Sequence, residues 1–361
     1  MRCCAERLIL IVIVLLAGTL LFAQTVQVPS RPSAYATAPD IRIESVPNFF
    51  KLPTGIYLGE NAGVATNSKG HVFVYTRSRQ TRLFEFDQNG KYVREIGEGN
   101  YAFQRAHAVR VDAEDNIWTV DEGTNLVIKF NPEGQIVMTI GHRPESSDEL
   151  SPRRVPSLLH GTPVRGRPAE RYLFSRPTDI AWDAAGNIFV ADGYGNSRVA
   201  KYDKTGIFLT QAESTPGNGP DQFDVPHTIA TDASGNVYVG DLGNRRIKVF
   251  SNDLKLLRSF DHIGAPVAIC ITAGPRQYLY TSNSNPGNHD SRFMNVTGEI
   301  YKMELDGTVV GKFGKPGKLL GEFSTTHMID CRNENRLFIA ELTSWRVQKI
   351  ILHPTVEGAR K

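Results

Sequence analysis

The sequence predicts an all-β fold, a six-bladed β-propeller closed by an N-terminal strand. Two observations support this prediction. One sequence unit recurs six times, and each unit contains about four short apolar runs separated by turn residues. Four β-branched and aromatic runs at this interval are typical of one propeller blade. No long segment shows helical periodicity, so strands are expected throughout.

The six units align on one position, here called the slot, at the start of each unit. The slot residues are Ala62, His107, Thr178, His227, a residue near Pro266 in a looser fifth unit, and His327. In five units the second strand begins ten residues after the slot, at Val72, Ile117, Ile188, Val237 and Leu337. Such constant spacing indicates one structural unit repeated along the chain.

The last unit appears one strand short, which predicts how the ring closes. The sixth unit stops after its third strand, at Leu352, whereas the strand-like residues 41–46 precede the first unit. An open sheet edge exposes unpaired backbone groups. We therefore expect the N-terminal strand to complete the last blade.

The propeller is predicted to span residues 41–352, with other segments at both ends. Residues 1–23 join a basic start to fifteen apolar residues, the pattern of a secretory signal peptide. An uncleaved anchor is the alternative, although the apolar run is shorter than the roughly 20 residues that span a bilayer. Residues 24–40 are a flexible leader and residues 353–361 a tail. We expect a secreted or periplasmic protein.

The net charge and the cysteines of the mature chain indicate which partners and which redox environment to expect. Removing residues 1–23 takes away two of 41 basic and one of 38 acidic residues, so the net charge is 39 − 37 = +2. This balance does not predict a nucleic-acid partner. Cys270 and Cys331 remain in the mature chain, either as two small buried hydrophobes or as a disulfide in an oxidising compartment.

Histidine fills the slot of the second, fourth and sixth units, as His107, His227 and His327. Alternate blades of a six-membered ring lie about 120° apart, so these side chains should converge on the axis. Three imidazoles with one open position suit Zn²⁺, although iron, copper and cobalt accept the same ligands. Solvated or carbonyl-bonded histidines are the structural alternative.

Two other sets of residues follow the second strands. Acids end that strand in four units, and their repetition favours a turn-stabilising role: Asp121, Asp192, Asp241 and Glu341. Arg77 and Tyr194 lie just beyond the same turn in one unit each. Beside a metal, a guanidinium and a phenol bind a carboxylate and move a proton. Single residues of these types in loops are otherwise surface residues.

The segments "RPTDIAWD", "DGYGNSR" and "VPHTIATD" resemble peptidyl-α-hydroxyglycine α-amidating lyases, which are six-bladed NHL-repeat proteins. The resemblance covers about residues 62–352. It implies zinc on the three slot histidines, Tyr194 as the catalytic tyrosine and Arg77 as the active-site arginine. The implied reaction cleaves the C–N bond of a carbinolamide and releases an amide and glyoxylate. Arg77 would stabilise the Tyr194 phenolate or hold the substrate carboxylate.

We expect a monomer that acts on a small molecule or a peptide C-terminus, with no membrane contact after signal cleavage. Three features depart from the family pattern. Met328 stands where the family has an aspartate after its third histidine, which weakens the case for the family's structural Ca²⁺. Gly195 replaces a cysteine, so that disulfide is not expected. Residues 142–176 form a Pro- and Arg-rich insertion that we expect to roof the channel.

Two other function classes remain open from the sequence. One is a lactonase-type propeller hydrolase built on calcium, for which three histidines are the wrong ligands because Ca²⁺ prefers oxygen. The other is a non-catalytic NHL interaction module that binds a protein or glycan, in which the histidines would be incidental. Metal content and sensitivity to chelation separate the second class from a lyase.

Overall fold

The computed structural model describes residues 38–143, 170–212, 215–284 and 296–353. Across these ranges the regular elements are 24 strands, grouped into six four-stranded antiparallel sheets. The six-bladed propeller prediction is therefore confirmed. A search of the same ranges finds no helix with the length and apolar character needed to cross a membrane.

The first three blades follow one another along the chain. Blade 1 contains β2 (Glu60–Thr66), β3 (Val72–Arg77), β4 (Arg82–Phe86) and β5 (Tyr92–Ile96). Blade 2 contains β6 (Ala106–Val111), β7 (Ile117–Asp121), β8 (Leu126–Phe130) and β9 (Ile136–Gly141). Blade 3 contains β10 (Asp179–Trp182), β11 (Ile188–Asp192), β12 (Arg198–Tyr202) and β13 (Phe208–Gln211).

The other three blades repeat this order, except that the last takes a strand from the N-terminal side. Blade 4 contains β14 (Pro226–Thr231), β15 (Val237–Asp241), β16 (Arg246–Phe250) and β17 (Leu256–Phe260). Blade 5 contains β18 (Pro266–Ile271), β19 (Leu279–Asn283), β20 (Glu299–Met303) and β21 (Val309–Phe313). Blade 6 contains β22 (Thr326–Asn333), β23 (Arg336–Glu341), β24 (Arg346–His353) and β1 (Arg42–Val46).

The first strands of the blades form the inner ring. Each inner strand contacts the inner strand of the next blade, and β22 contacts β2, so the ring is closed. The closure uses β1, which pairs antiparallel with β24 from Arg42 opposite His353 to Val46 opposite Lys349. The predicted completion of the last blade by an N-terminal strand is confirmed.

Burial follows from how the blades stack. The second strands are buried along all or nearly all of their length, as β15 is throughout, because both faces pack against other blades or neighbouring strands. Their sequences are therefore continuous apolar runs and do not alternate between apolar and polar residues. The outermost strands, such as β9, are largely exposed on the rim. The hydrophobic cores lie between blades and hold the inner strands in place.

A β-bulge lies at the slot in the three inner strands that carry histidine, and also in β2 and β18, which do not. The register of β6 shifts between Ala106 and Ala108, and β14 and β22 shift at the same point around His227 and His327. A bulge leaves the extra residue out of the ladder and re-aims its side chain. The bulge therefore frees each histidine from its own sheet.

Register also identifies the slot in the looser fifth unit. Ile269 pairs with Thr281 as Val109 pairs with Thr119, two residues beyond the slot of blade 2. The fifth slot residue is therefore Val267. The second strand begins at Leu279, twelve residues later rather than ten, so a longer hairpin turn hid this unit in the sequence.

The two remaining cysteines are joined. Cys270 on β18 and Cys331 on β22 form a disulfide between the inner strands of blades 5 and 6. The predicted signal peptide, most of the leader and tail, and residues 144–169 of the insertion lie outside the described residues. The roof proposed for the insertion and the signal-peptide assignment therefore stay predictions.

Candidate metal centre

The three slot histidines converge, as the ring geometry predicts. Their potential ligand atoms all lie within 4.8 Å of one another. The ring centroids are 4.6 to 5.0 Å apart. His107, His227 and His327 are nearly fully buried, at 1%, 3% and 4% exposure. The three side chains therefore meet on the axis, and their role as metal ligands stays a prediction.

Each histidine is held by the backbone of the next blade. Nδ1 donates to the carbonyl oxygen of the following slot residue, in the pairs His107–Thr178 (2.5 Å), His227–Val267 (2.8 Å) and His327–Ala62 (2.6 Å). A carbonyl only accepts, so Nδ1 carries the proton and Nε2 keeps its lone pair. The slot residues that are not histidine thus orient the histidines through their backbone carbonyls. Any side chain is compatible with this role.

Tyr194 completes the cluster from the loop after β11. Its hydroxyl oxygen lies 3.1 Å from Nε2 of His107 and 3.1 Å from Nε2 of His227. One phenol proton cannot serve two nitrogen lone pairs at once. The three Nε2 lone pairs and the phenol oxygen therefore lie together, and the phenol proton is the one proton these four atoms share. This donor set fits a zinc ion, which binds neutral imidazole and leaves one position open in catalytic sites.

Arg77 reaches the same region from the end of β3, but it is not a lone cation. Its Nη1 donates to Glu122 Oε1 at 2.8 Å and to the carbonyl of Ala106 at 3.0 Å. Its Nε donates to Glu60 Oε2 at 2.9 Å. Ala106 immediately precedes His107, so Arg77 is fixed beside the histidine cluster. The structure brings together all five predicted site residues.

Glu122 is a site residue that the sequence reasoning missed. Its side chain is only 2% exposed and accepts from three guanidinium groups, those of Arg77, Arg105 and Arg176. The Arg176 guanidinium in turn lies 4.5 Å from the centre of the Tyr194 ring. A signal was present, because Glu122 is a second acid directly after Asp121. Blades 3, 4 and 6 have Gly193, Leu242 and Leu342 at this position.

The NHL repeat family matches residues 174–202 and 223–250, in blades 3 and 4. The chain is a six-bladed β-propeller that contains NHL repeats. It is similar to a probable peptidyl-α-hydroxyglycine α-amidating lyase of Caenorhabditis elegans, with 28% identity across 82% of this chain and 83% of the relative. It is also 24% identical to NHL repeat-containing protein 3 of Mus musculus, across 82% and 80% of the two chains.

A solved structure shows the same fold. Virginiamycin B lyase from Staphylococcus aureus superposes with a TM-score of 0.55, at 14% identity, over 87% of this chain and all of that one. At this identity the likeness concerns the propeller alone. The similarity to amidating lyases therefore comes from the sequence relatives, and the site residues come from the geometry of this NHL-repeat propeller.

The histidines of the NHL-repeat propeller are kept neutral. Burial lowers the pKa of His227 to about 4. Burial, followed by the neighbouring imidazoles, holds the pKa of His107 well below its ordinary value, and burial acts in the same way on His327. A neutral imidazole is the form that binds a metal. The cluster is therefore competent for metal at neutral pH.

The acid–base character of Tyr194 depends on charge. Burial raises the pKa of its phenol above the ordinary value, and the carboxylate of Glu122 raises it further. The positive charges of Arg77, Arg176 and Arg105 oppose this rise without cancelling it. The phenol is consequently protonated at rest and releases its proton only when more positive charge arrives.

The four acids at the ends of second strands have the contacts of a scaffold. Each accepts a backbone N–H from the loop that precedes its inner strand, at Arg105 for Asp121, Ser175 for Asp192, Asp224 for Asp241 and Ser324 for Glu341. Three of them also bind an arginine of the third strand. Their role is to tie the loop to the blade, as the sequence indicated.

The structural calcium implied by the family resemblance does not fit this NHL-repeat propeller. Met328, which follows the third histidine, is buried in an apolar cluster. The nearby carboxylates are already engaged, Asp179 by Arg110 and Asp330 by Thr66. Calcium takes 6–8 oxygen ligands. The described residues next to the histidines do not supply such a set.

Proposed function

We propose that this NHL-repeat propeller is a zinc-dependent lyase that breaks the C–N bond of a carbinolamide. The observation that carries the proposal is the inward-facing Nε2 atoms of the three histidines, with the Tyr194 hydroxyl 3.1 Å from two of them. The similarity to a probable amidating lyase suggests the reaction. The substrate would be a peptidyl-α-hydroxyglycine or a related compound.

The reaction needs one proton to move and no oxidant. When bound, zinc supplies positive charge and an open coordination position, which favour loss of the substrate hydroxyl proton. Tyr194 Oη can take that proton only as the phenolate, so its own proton would first pass to solvent when the cation binds. As the carbonyl forms, the C–N bond breaks and its electron pair stays on nitrogen. Tyr194 returns the proton to the nitrogen, and the products are an amide and an aldehyde, which is glyoxylate when the carbon bears a carboxylate.

Arg77 stabilises negative charge in this scheme. Glu60 and Glu122 hold its Nε and Nη1. Within the described ranges its Nη2 has no hydrogen-bond partner, so this group is available to a substrate carboxylate or to the developing phenolate. A methyl ester of the substrate separates the two roles, since only carboxylate binding is lost with the ester.

We also propose where the protein acts and on what. The apolar segment in residues 1–23 and the Cys270–Cys331 disulfide both support an oxidising, extracytoplasmic location. The proposed substrate is a peptide C-terminus or a small carbinolamide, bound by a monomer. No nucleic-acid or membrane partner is proposed for the mature chain, whose formal charge is close to neutral.

A non-catalytic binding module is the second candidate function. It is favoured by the similarity to NHL repeat-containing protein 3, whose name states a repeat and no reaction. In that case the propeller would bind a protein or glycan on one face. The histidine cluster would then have no role in turnover.

The test is glyoxylate release from a peptide that ends in α-hydroxyglycine. The lyase proposal predicts release that stops after chelation and returns on addition of zinc. Release that is unaffected by chelation would remove the metal from the proposal. No release from zinc-loaded protein would remove the lyase reaction on this substrate and favour the binding module.

A further inference from the structure

Below the histidine cluster, Arg110 reaches across the channel. It lies three residues after His107 on the same inner strand. Its Nε and Nη2 donate to the carboxylate of Asp179 in blade 3, at 3.0 and 2.6 Å. Nη2 also donates to the carbonyl of Ile269 in blade 5, at 3.2 Å. Blade 5 is opposite blade 2 in a ring of six, so one guanidinium connects opposite sides of the channel.

Asp179 links this guanidinium to two of the histidines. It directly follows Thr178, whose carbonyl accepts from Nδ1 of His107. Its Oδ2 also accepts from the hydroxyl of Thr228 at 2.9 Å, and Thr228 directly follows His227. The carboxylate is 1% exposed, so these bonds form away from bulk water. The Arg110–Asp179 pair therefore fixes the backbone beside the carbonyl that holds His107 and the residue that follows His227.

The third histidine is supported at the same level. Asp330 lies three residues after His327, the position that Arg110 has after His107. Its two oxygens accept from the backbone N–H and the hydroxyl of Thr66, both at 2.9 Å. Thr66 belongs to β2, the strand whose Ala62 carbonyl holds His327. An acid and a base thus occupy equivalent positions of alternate blades.

We propose that the Arg110–Asp179 ion pair forms an internal strut that fixes the spacing of the three histidines. Arg110 is then a positioning residue, since it contacts neither the metal position nor Tyr194. The proposal uses the metal-site part of the proposed function and not the lyase reaction.

The physical case is the cost of burying this pair. Removing charges from water is expensive, and a buried pair is often replaceable by apolar residues without loss of stability. A buried pair that bridges four blades beside a metal site is better explained by positioning. Groups outside the ligand set typically change metal affinity by about 10- to 100-fold when they are lost.

The test compares Arg110→Met with Arg82→Met. Arg82 also donates Nε to a carboxylate, that of Glu95, but in the outer strands of blade 1. Both arginines are partly buried, with side chains 15% and 26% exposed. Zinc affinity is measured by competition with a chromophoric chelator. The three Nδ1–H protons are followed by NMR in metal-free protein with ¹⁵N-labelled histidine.

Arg110→Met is expected to weaken zinc binding by about tenfold or more and to broaden or shift the Nδ1–H signals. Arg82→Met should keep both. Zinc affinity and Nδ1–H signals equal to those of the unaltered protein in Arg110→Met would overturn the strut. If Arg110→Met does not fold, the double variant Arg110→Met/Asp179→Leu removes both charges, and the same two readouts decide.

The outcome is independent of turnover. One result is that the protein releases no glyoxylate while Arg110→Met still shows the expected changes. That result would support the strut and contradict the lyase proposal. If the unaltered protein binds no zinc, the NMR signals of the metal-free variants alone support or overturn the positioning role.

Discussion

Arg77 and Glu122 occupy the same position of neighbouring blades and form an ion pair across the boundary, with Nη1 and Oε1 2.8 Å apart. The equivalence follows from register, because Thr76 pairs with Asn61 as Asp121 pairs with Ala106. The histidines are arranged around the axis, but this charge pair belongs to blades 1 and 2 alone. It therefore places the proposed chemistry on one side of the channel.

Glu122→Gln tests whether this carboxylate organises the site. Glutamine keeps the size of the side chain but cannot balance three guanidinium groups. We expect glyoxylate release to fall about tenfold or more, with zinc content unchanged, because Arg77 and Arg176 lose their anchor. Steady-state kinetics and metal analysis measure both. The matched control is Glu95→Gln, an arginine-bound glutamate in the outer part of blade 1. Equal kcat/KM in the two variants would argue against an organising role.

Tyr194→Phe removes the proposed proton carrier and leaves the ring. Zinc binding should persist, since the three imidazoles are intact, while kcat falls by about 10²- to 10⁴-fold. Tyr202→Phe is the control, because its hydroxyl donates to the carbonyl of Arg171 at the rim of the same blade. A Tyr194→Phe variant with full activity would show that another group moves the proton.

Calcium should have no effect on stability. The Met328 side chain offers no oxygen to a cation, and the oxygens of Asp179 and Asp330 are already engaged by Arg110 and Thr66. The thermal midpoint, followed by circular dichroism, is expected to be the same in excess calcium and with a calcium-selective chelator. A calcium-dependent rise of several degrees would reveal a site that these residues do not explain.

The closing strand should contribute measurably to stability. Ile43 is partly buried against the core between blades 5 and 6, whereas Glu44, the next residue, is exposed. We expect Ile43→Ala to lower the free energy of unfolding by about 1–3 kcal/mol, as lost apolar burial and packing require. Glu44→Ala should change it by less than about 0.5 kcal/mol. Urea unfolding measures both, and equal midpoints would mean that β1 does not help to close the ring.

The sequence predicted features that repeat along the chain and missed those that depend on one contact. The six units and the slot histidines were visible because spacing recurs. The carbonyls that orient the histidines leave no signature, since Ala62, Thr178 and Val267 contribute only backbone. Glu122 and Arg110 were missed because each acts through partners on other blades. Arg77 is 45 residues from Glu122, and Ile269 is 159 residues from Arg110. Such pairings depend on how the ring closes, and the local pattern does not reveal them.

The central claim is that the three histidines bind zinc, and metal analysis of the purified protein tests it most directly. The unaltered protein is predicted to hold about one zinc per chain. His227→Ala should lose it. His71→Ala should keep it, because His71 lies outside the slot and pairs with Glu85 in blade 1. Substoichiometric zinc in the unaltered protein, or equal zinc in His227→Ala, would contradict the metal centre.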